Sequence, residues 1–229
     1  MKKLTNVPNR SETVSGFIFL AIQLLALQPA LLLVNLLLPT PMSESTLNFL
    51  FFTINFISVA VIFRKYLIRS GKTAISAPFS CLRSTFLALV GYWGGNMLVS
   101  ILIQNVYPEF FNVNDSSLSQ MTQENFSLMA FGTILLAPVT EEVLYRGLIF
   151  GKLYNRSPLL AYFVSTLCFS ALHVTGYIGM YAPFHLLLCL LQYVPAGLCL
   201  GWAYAKSDTI WAPILLHITV NQIAIFSMR

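Results

Sequence analysis

The residue types best suited to chemistry in this sequence lie inside its apolar runs. Glu141, Glu142 and Arg146 fall within the run 126–150, His173 within 159–174, and His217 and Asn221 within 210–228. At the centre of a membrane helix an ionisable group costs at least ~2.5–3.5 kcal/mol, so it persists only with a partner, a wet cavity or a task. Glu142 and Arg146 are four residues apart with the acid first, the favourable order for a helical ion pair, so Arg146 would hold Glu142 ionised. Glu141 sits about 100° round the helix from Glu142 and points at a different neighbour. One acid is balanced locally and the other is left available. Phe169 and His173 share one helical face, as do His217 and Asn221. Glu141, His173 and His217 are also an acceptable carboxylate and imidazole set for zinc. Against a metal, H-E-x-x-H is absent, and Asn221 is a poor zinc ligand but a good oxyanion donor. No cofactor is therefore expected, and zinc on those three residues is the alternative. His185 reads as structural and Ser170 as packing.

The elements that must position these side chains follow from composition. Of 229 residues, 57% are hydrophobic and 9% charged, and the mean hydropathy is +0.74. A soluble domain carries roughly 25% charged residues. A water-facing surface could not be covered here, so the expected fold is all-α, a polytopic membrane helix bundle forming one integral membrane domain over 1–229. A spanning helix needs about 20 mostly apolar residues. Seven stretches qualify, at 16–38, 47–63, 84–106, 126–150, 159–174, 181–205 and 210–228, the second and fifth being short. The first is too long for a signal h-region and lacks a small-residue cleavage site.

Charge placement sets an orientation. With the N-terminus and its Lys2, Lys3 and Arg10 in the cytoplasm, alternation puts Arg64, Lys65, Arg69, Lys72, Arg83, Lys152, Arg156 and Lys206 inside as well. The connections assigned outside carry Glu44, Glu109, Asp115 and Glu124 and no Lys or Arg, apart from the terminal Arg229. This is a positive-inside pattern, so the net charge of +5 reports topology and implies no nucleic-acid partner. The localisation expected is the cell membrane, multi-pass. The polar segment 107–125 reads as a loop. Cys81, Cys168, Cys189 and Cys199 show no C-x-x-C spacing and read as small buried side chains. Gly147 with Gly151, and Gly197 with Gly201, suit close helix contact.

The ordered set Glu141-Glu142-x-x-x-Arg146, Phe169-x-x-x-His173 and His217-x-x-x-Asn221 resembles the three-motif signature of the CPBP (Abi) family of CAAX proteases and bacteriocin-processing enzymes, which includes the type II CAAX prenyl endopeptidases. The stretch 197–221, with Trp211-Ala212-Pro213 before the motif histidine, adds to the resemblance. It covers about 138–221, within a family-like core of about 126–227. The resemblance implies an intramembrane endopeptidase in which Glu141 is the general base on water and His173 positions and polarises that water. His217 and Asn221 would donate to the tetrahedral oxyanion, with Glu142 and Arg146 orienting the site. By simple counting Glu141 and His217 lie toward the cytoplasmic half and His173 near the outer end of a short span. Tilted or broken helices must join them, with Pro138 and Pro158 as causes.

The function expected is hydrolysis of membrane-associated peptides or proteins, by CAAX-type processing or by processing of a bacteriocin or pheromone precursor with self-immunity. The cavity would open to the cytoplasm or the inner leaflet. The alternative is a non-catalytic membrane regulator or immunity protein that binds another membrane protein. A small transporter predicts repeated halves with broken segments, and the sequence has no repeat.

Overall fold

Caps and prolines decide where the helices begin. The computed structural model describes residues 3–228. Lys2 and Arg229, both used in the charge reading, lie outside the described residues. All seven apolar stretches are helical: α1 (Arg10–Leu36), α2 (Glu44–Ile62), α4 (Pro78–Val106), α6 (Phe126–Tyr154), α7 (Pro158–Leu172), α8 (Pro183–Ser207) and α9 (Trp211–Ser227). Two helices were not expected, α3 (Arg64–Ser76) and α5 (Val113–Glu124). The fold is an all-α membrane bundle, as the composition requires. α1, α2, α4, α6 and α8 are long and apolar enough to cross a bilayer, and α7 and α9 are shorter apolar helices.

Each start has a local cause. Asn9 and Glu12 close a capping box on α1, and Ser43, Asn112, Asn125 and Ser157 accept from first-turn amides of α2, α5, α6 and α7, which satisfies donors with no intrahelical partner. Pro78, Pro158 and Pro183 each occupy the first turn of their helix, where the missing N–H costs nothing. Pro158 therefore starts α7 and does not bend it. The expected loop at 107–125 is corrected over Val113–Glu124, which is helical, while 107–112 remains a connection: Asn112 caps the helix and Asp115 sits in its first turn, where a negative charge meets the positive end of the helix dipole.

α6 is the central helix. Of its apolar stretch 56% is buried in the bundle, against 11% for α1 and for α4. Large apolar side chains such as Leu25, Leu36, Phe79, Val90 and Leu159 stay exposed on outer helices, as lipid-facing surfaces require. α8 packs most extensively on α4 and α7. A Cβ at Gly197 would come within 2.6 Å of the Thr166 side chain, and one at Gly147 within 2.9 Å of Tyr66, so these glycines set the helix spacing.

The end of the bundle that carries the basic connections is closed by a polar network. Asp208 ends α8 in the left-handed region, φ 54. Its carboxylate accepts from the Thr5 and Asn6 amides at 3.0 and 3.1 Å and from the Thr5 hydroxyl. Tyr66 donates to the Tyr204 hydroxyl at 3.0 Å, and Tyr204 donates to the Asn6 carbonyl. The Tyr66 amide donates to Glu12 at 2.7 Å, and Ser70 accepts from the Ile210 amide at 2.8 Å. These bonds tie the segment before α1 to α3 and to the α8–α9 turn.

Candidate active site

The backbone of α6 is irregular where its acids lie. Its hydrogen bonding shifts to the wider π pattern over Gly132–Leu136 and again over Glu142–Phe150, with the α-helical turn Ala137–Glu141 between them. Pro138 has no N–H to give to the turn before it, and a π turn at that point absorbs the missing bond. Wider turns bring successive side chains closer together than the 100° of an α-helix. The expectation that Glu141 and Glu142 face different neighbours is accordingly corrected, because both address His217. Nδ1 of His217 is 2.8 Å from Oε1 of Glu142, and Nε2 is 3.9 Å from Oε2 of Glu141.

Arg146 completes this chain of charges. Its Nη1 donates to Oε1 of Glu142 at 3.1 Å, and its Nη2 donates to the Gly197 carbonyl at 3.3 Å. Both side chains of the pair are fully buried. The guanidinium also lies over the Phe169 ring, 4.1 Å from its centre, a cation–π contact strengthened by desolvation. The same ring stands 4.8 Å from the His173 ring and 5.8 Å from that of His217. Phe169 is thus the spacer on which the charged chain and both imidazoles rest.

His173 caps the C-terminal end of α7. Its Nδ1 donates to the Phe169 carbonyl at 2.9 Å, so the neutral ring carries a free lone pair at Nε2. The ring stacks on Tyr193 at 4.2 Å. Tyr193 in turn donates to Asp115 at 2.9 Å and accepts from Asn114 at 3.1 Å. Burial raises the Asp115 carboxyl above its ordinary pKa, and the Tyr193 hydrogen bond acts against that shift. Asn221 donates to the Thr133 carbonyl at 2.8 Å, across the interface between α9 and the first π turn of α6.

Glu141, His173, His217 and Asn221 all line one cavity of about 330 Å³. Oε2 of Glu141 has no hydrogen-bond partner, and neither has Oε2 of Glu142; the two acids differ in that Oε1 of Glu142 is bonded by Arg146 and His217. Among the described residues no three His, Cys, Asp or Glu side chains are grouped to hold a metal ion. His185 is outside the cavity and bonds to the Phe111 carbonyl at 2.9 Å. Ser170 is buried with its hydroxyl unpaired.

Two features of the cavity were not foreseen. Asn112, Asn114 and Asp115 of the α5 region form part of its wall and no Lys or Arg does, so it lies toward the end of the bundle away from the basic connections, not toward the basic end that the sequence reading favoured. Polar residues from the first three spans also line it, among them Gln23, Asn48, Asn55 and Asn96. Their signal in the sequence was only their rarity within apolar runs. The cap residue Asn112 with Asp115 three positions on was the signal that could have revealed α5.

Residues 123–223 match the family model described as type II CAAX prenyl endopeptidase Rce1-like. That segment is similar to the Rce1-like family. It contains α6 to α9 almost entirely, so every charged and imidazole group of the chain of contacts lies inside it. Among curated relatives, "Putative membrane peptidase YdiL" of Bacillus subtilis (strain 168) is 28% identical over 99 residues, 43% of this chain and 36% of that protein. "UPF0177 protein YxdF" of Lactococcus lactis subsp. lactis (strain IL1403) is 29% identical over 87 residues, 38% of this chain and 42% of that protein. The chain thus aligns with well under half the length of these relatives. No solved structure matches. The apolar helices support a membrane-embedded protein, and the family match likens residues 123–223 to the type II CAAX prenyl endopeptidases.

Proposed function

We propose that the chain is a glutamate-dependent intramembrane endopeptidase acting on membrane-associated peptides or proteins. The observation that carries the reading is the Glu141 carboxylate, without a hydrogen bond at Oε2 and 3.9 Å from Nε2 of His217, in a cavity that His173, His217 and Asn221 also line. Glu141 takes the proton of a water held with Nε2 of His173, the ring nitrogen left free by the Phe169 carbonyl. The resulting hydroxide attacks the peptide carbonyl, and the amine leaves with the proton that Glu141 returns. Nε2 of His217 and the second amide N–H of Asn221 stabilise the oxyanion. This requires both ring protons on His217, because Nδ1–H already donates to Glu142. Glu142, pinned by Arg146, therefore fixes the ring that serves the oxyanion.

The reading routes no step through a metal, and zinc on Glu141, His173 and His217 is its alternative; chelators that leave cleavage intact support the metal-free form. The substrate is proposed as a CAAX-type protein or a bacteriocin or pheromone precursor, with self-immunity as the associated role. The positive-inside pattern supports a cytoplasmic N-terminus. Non-catalytic regulation of another membrane protein is the competing function. It is favoured if Glu141→Ala and His173→Ala, expressed at wild-type levels, both retain full complementation of a deletion strain. The protease reading expects both to fail, and expects peptides that accumulate in Glu141→Ala membranes to disappear on restoring Glu141.

A further inference from the structure

We propose that Asp115 and Tyr193 are positioning residues for His173: the first turn of α5 holds the phenol, and the face of the phenol fixes the imidazole that holds the attacking water. This rests on the peptidase reading above and gives α5 a task in it. Asn112, Asn114 and Asp115 lie before the Rce1-like segment.

His173 closes a short helix, and only the 3-10 turn Thr175–Tyr177 follows it. Its ring has one hydrogen bond among the described residues, from Nδ1 to the Phe169 carbonyl at 2.9 Å. A single bond leaves an imidazole free to tilt about that contact. Two rings remove the tilt. Phe169 meets the imidazole edge-on, centres 4.8 Å apart at 60°, and Tyr193 lies against it nearly face to face, at 4.2 Å and 22°. The direction of Nε2 is therefore set by the plane of the Tyr193 ring.

A stack of that kind positions a ring only if the second ring is itself held. α8 does not hold it alone, because Pro195, two residues on, interrupts the helical ladder at the Leu191 carbonyl. The hold comes from α5. The Tyr193 hydroxyl donates to Oδ1 of Asp115 at 2.9 Å, with Oδ1 of Asn112 3.2 Å away, and accepts from Nδ2 of Asn114 at 3.1 Å. Nδ2 of Asn112 also donates to Oε1 of Gln192, the neighbour of Tyr193, at 2.8 Å. Among the described residues Asp115 forms no ion pair, and its carboxylate bonds the phenol instead. Asn112, Asn114, Asp115 and Tyr193 line the catalytic cavity together with His173. Misplacing a reacting group by about 1 Å costs about 100-fold in rate, and a side chain is held more closely than that only when its neighbours are themselves locked.

The test uses the purified full-length protein in lipid nanodiscs and an internally quenched synthetic peptide of about 20 residues, apolar at both ends with a central Gly-Ser segment. Cleavage is measured per folded molecule, below the unfolding range of every variant. Tyr193→Phe keeps the ring and releases it from α5, and kcat is expected to fall about tenfold with KM held within about twofold. Asp115→Leu should fall as far, and the two substitutions together no further, because both cut one linkage. Asp115→Asn keeps an acceptor oxygen at the same place and should fall less than Asp115→Leu. Ser116→Ala, on the same helix but outside the cavity, serves as the control and should cleave as the unsubstituted protein does. The ring itself is read by NMR of protein labelled at Cε1 of histidine. The chain has three histidines, and His173→Gln identifies the signal. The phenol face shields the His173 ring proton, so Tyr193→Phe and Asp115→Leu should both shift that signal toward the position of an unstacked histidine. An unmoved signal in both variants overturns the proposal. So does an unaltered kcat, a loss confined to KM or to the unfolding temperature, or equal losses in Asp115→Asn and Asp115→Leu (the mark of a role for charge). A signal that moves as described in a protein that cuts nothing leaves the placement of the ring standing and removes the peptidase reading.

Discussion

The two ends of this bundle bury polar side chains in opposite ways. At the basic end Tyr66, Ser70, Tyr204, Asp208 and Thr209 are buried and hydrogen-bonded; there only Oδ1 of Asn6 lacks a partner. Around the cavity Gln23, Asn55, Thr133 and Glu141 each keep an oxygen unpaired, next to about 330 Å³ of open space. A saturated network fixes a fold, since removing any member leaves its partner stranded. Buried polarity alone therefore does not mark a site in this protein, and neither does a missing partner, since Thr166 and Ser170 are unpaired away from the cavity; the cavity is what sets the second group apart.

Substitutions can break or sharpen that contrast. The largest effect is expected at Arg146, whose guanidinium bonds Glu142 and the Gly197 carbonyl beside the cavity and leaves only Nε unpaired. Arg146→Leu leaves the buried Glu142 carboxylate with His217 as its one remaining partner and should destabilise by about 3–5 kcal/mol, read as a lowered unfolding temperature or as loss of protein from the membrane. Asp208→Gly comes next. Glycine accepts the backbone at φ 54 without strain, so the variant removes only the carboxylate that holds Thr5 and Asn6. A loss of about 2–4 kcal/mol is expected from the stranded donors, with cleavage per folded molecule retained. If Asp208→Gly instead abolished cleavage at full stability, the basic end would not be merely structural.

How far the sequence carries this division can be seen at single residues. Hydropathy located all seven helices, because long apolar runs in a chain this poor in charge must be buried in lipid or in the bundle. Glu142 and Arg146 were legible as a pair from their spacing alone, and the pair is present. That Glu141 and Glu142 meet one histidine was not, because the π turns of α6 have no signature in residue type. Gln23 stands in an apolar run with no polar residue at i+3 or i+4, and the companion of Asn55, Asn48, is two helical turns away on the same face. Asp208 looked like one acid in a short turn, and its partners are 202 and 203 residues away.

Smaller effects sharpen the cavity itself. Burial holds the Asp115 carboxyl above its ordinary pKa in the folded protein. A raised folded pKa means that the folded state favours the protonated form. The stability this contributes is complete below the unfolded pKa of about 3.9 and is lost as pH rises through the folded value. Asp115→Asn should therefore flatten that stretch of the unfolding-temperature profile, and the advantage of wild type over the variant should shrink as pH rises. The smallest change is at Tyr193→Phe, which keeps the ring against His173 and loses the hydroxyl's bonds to Asp115 and Asn114, at a cost of about 1–2 kcal/mol in thermal unfolding.

The central claim is that Glu141, unpaired in the cavity, activates water for peptide hydrolysis. The direct measurement is cleavage of the quenched peptide by wild type and by Glu141→Gln, purified side by side in nanodiscs and compared at matched unfolding temperature. Glu141→Gln keeps the shape of the side chain and removes the base, so cleavage should fall by at least about 100-fold with stability held. Cleavage by Glu141→Gln at the wild-type rate would contradict the account.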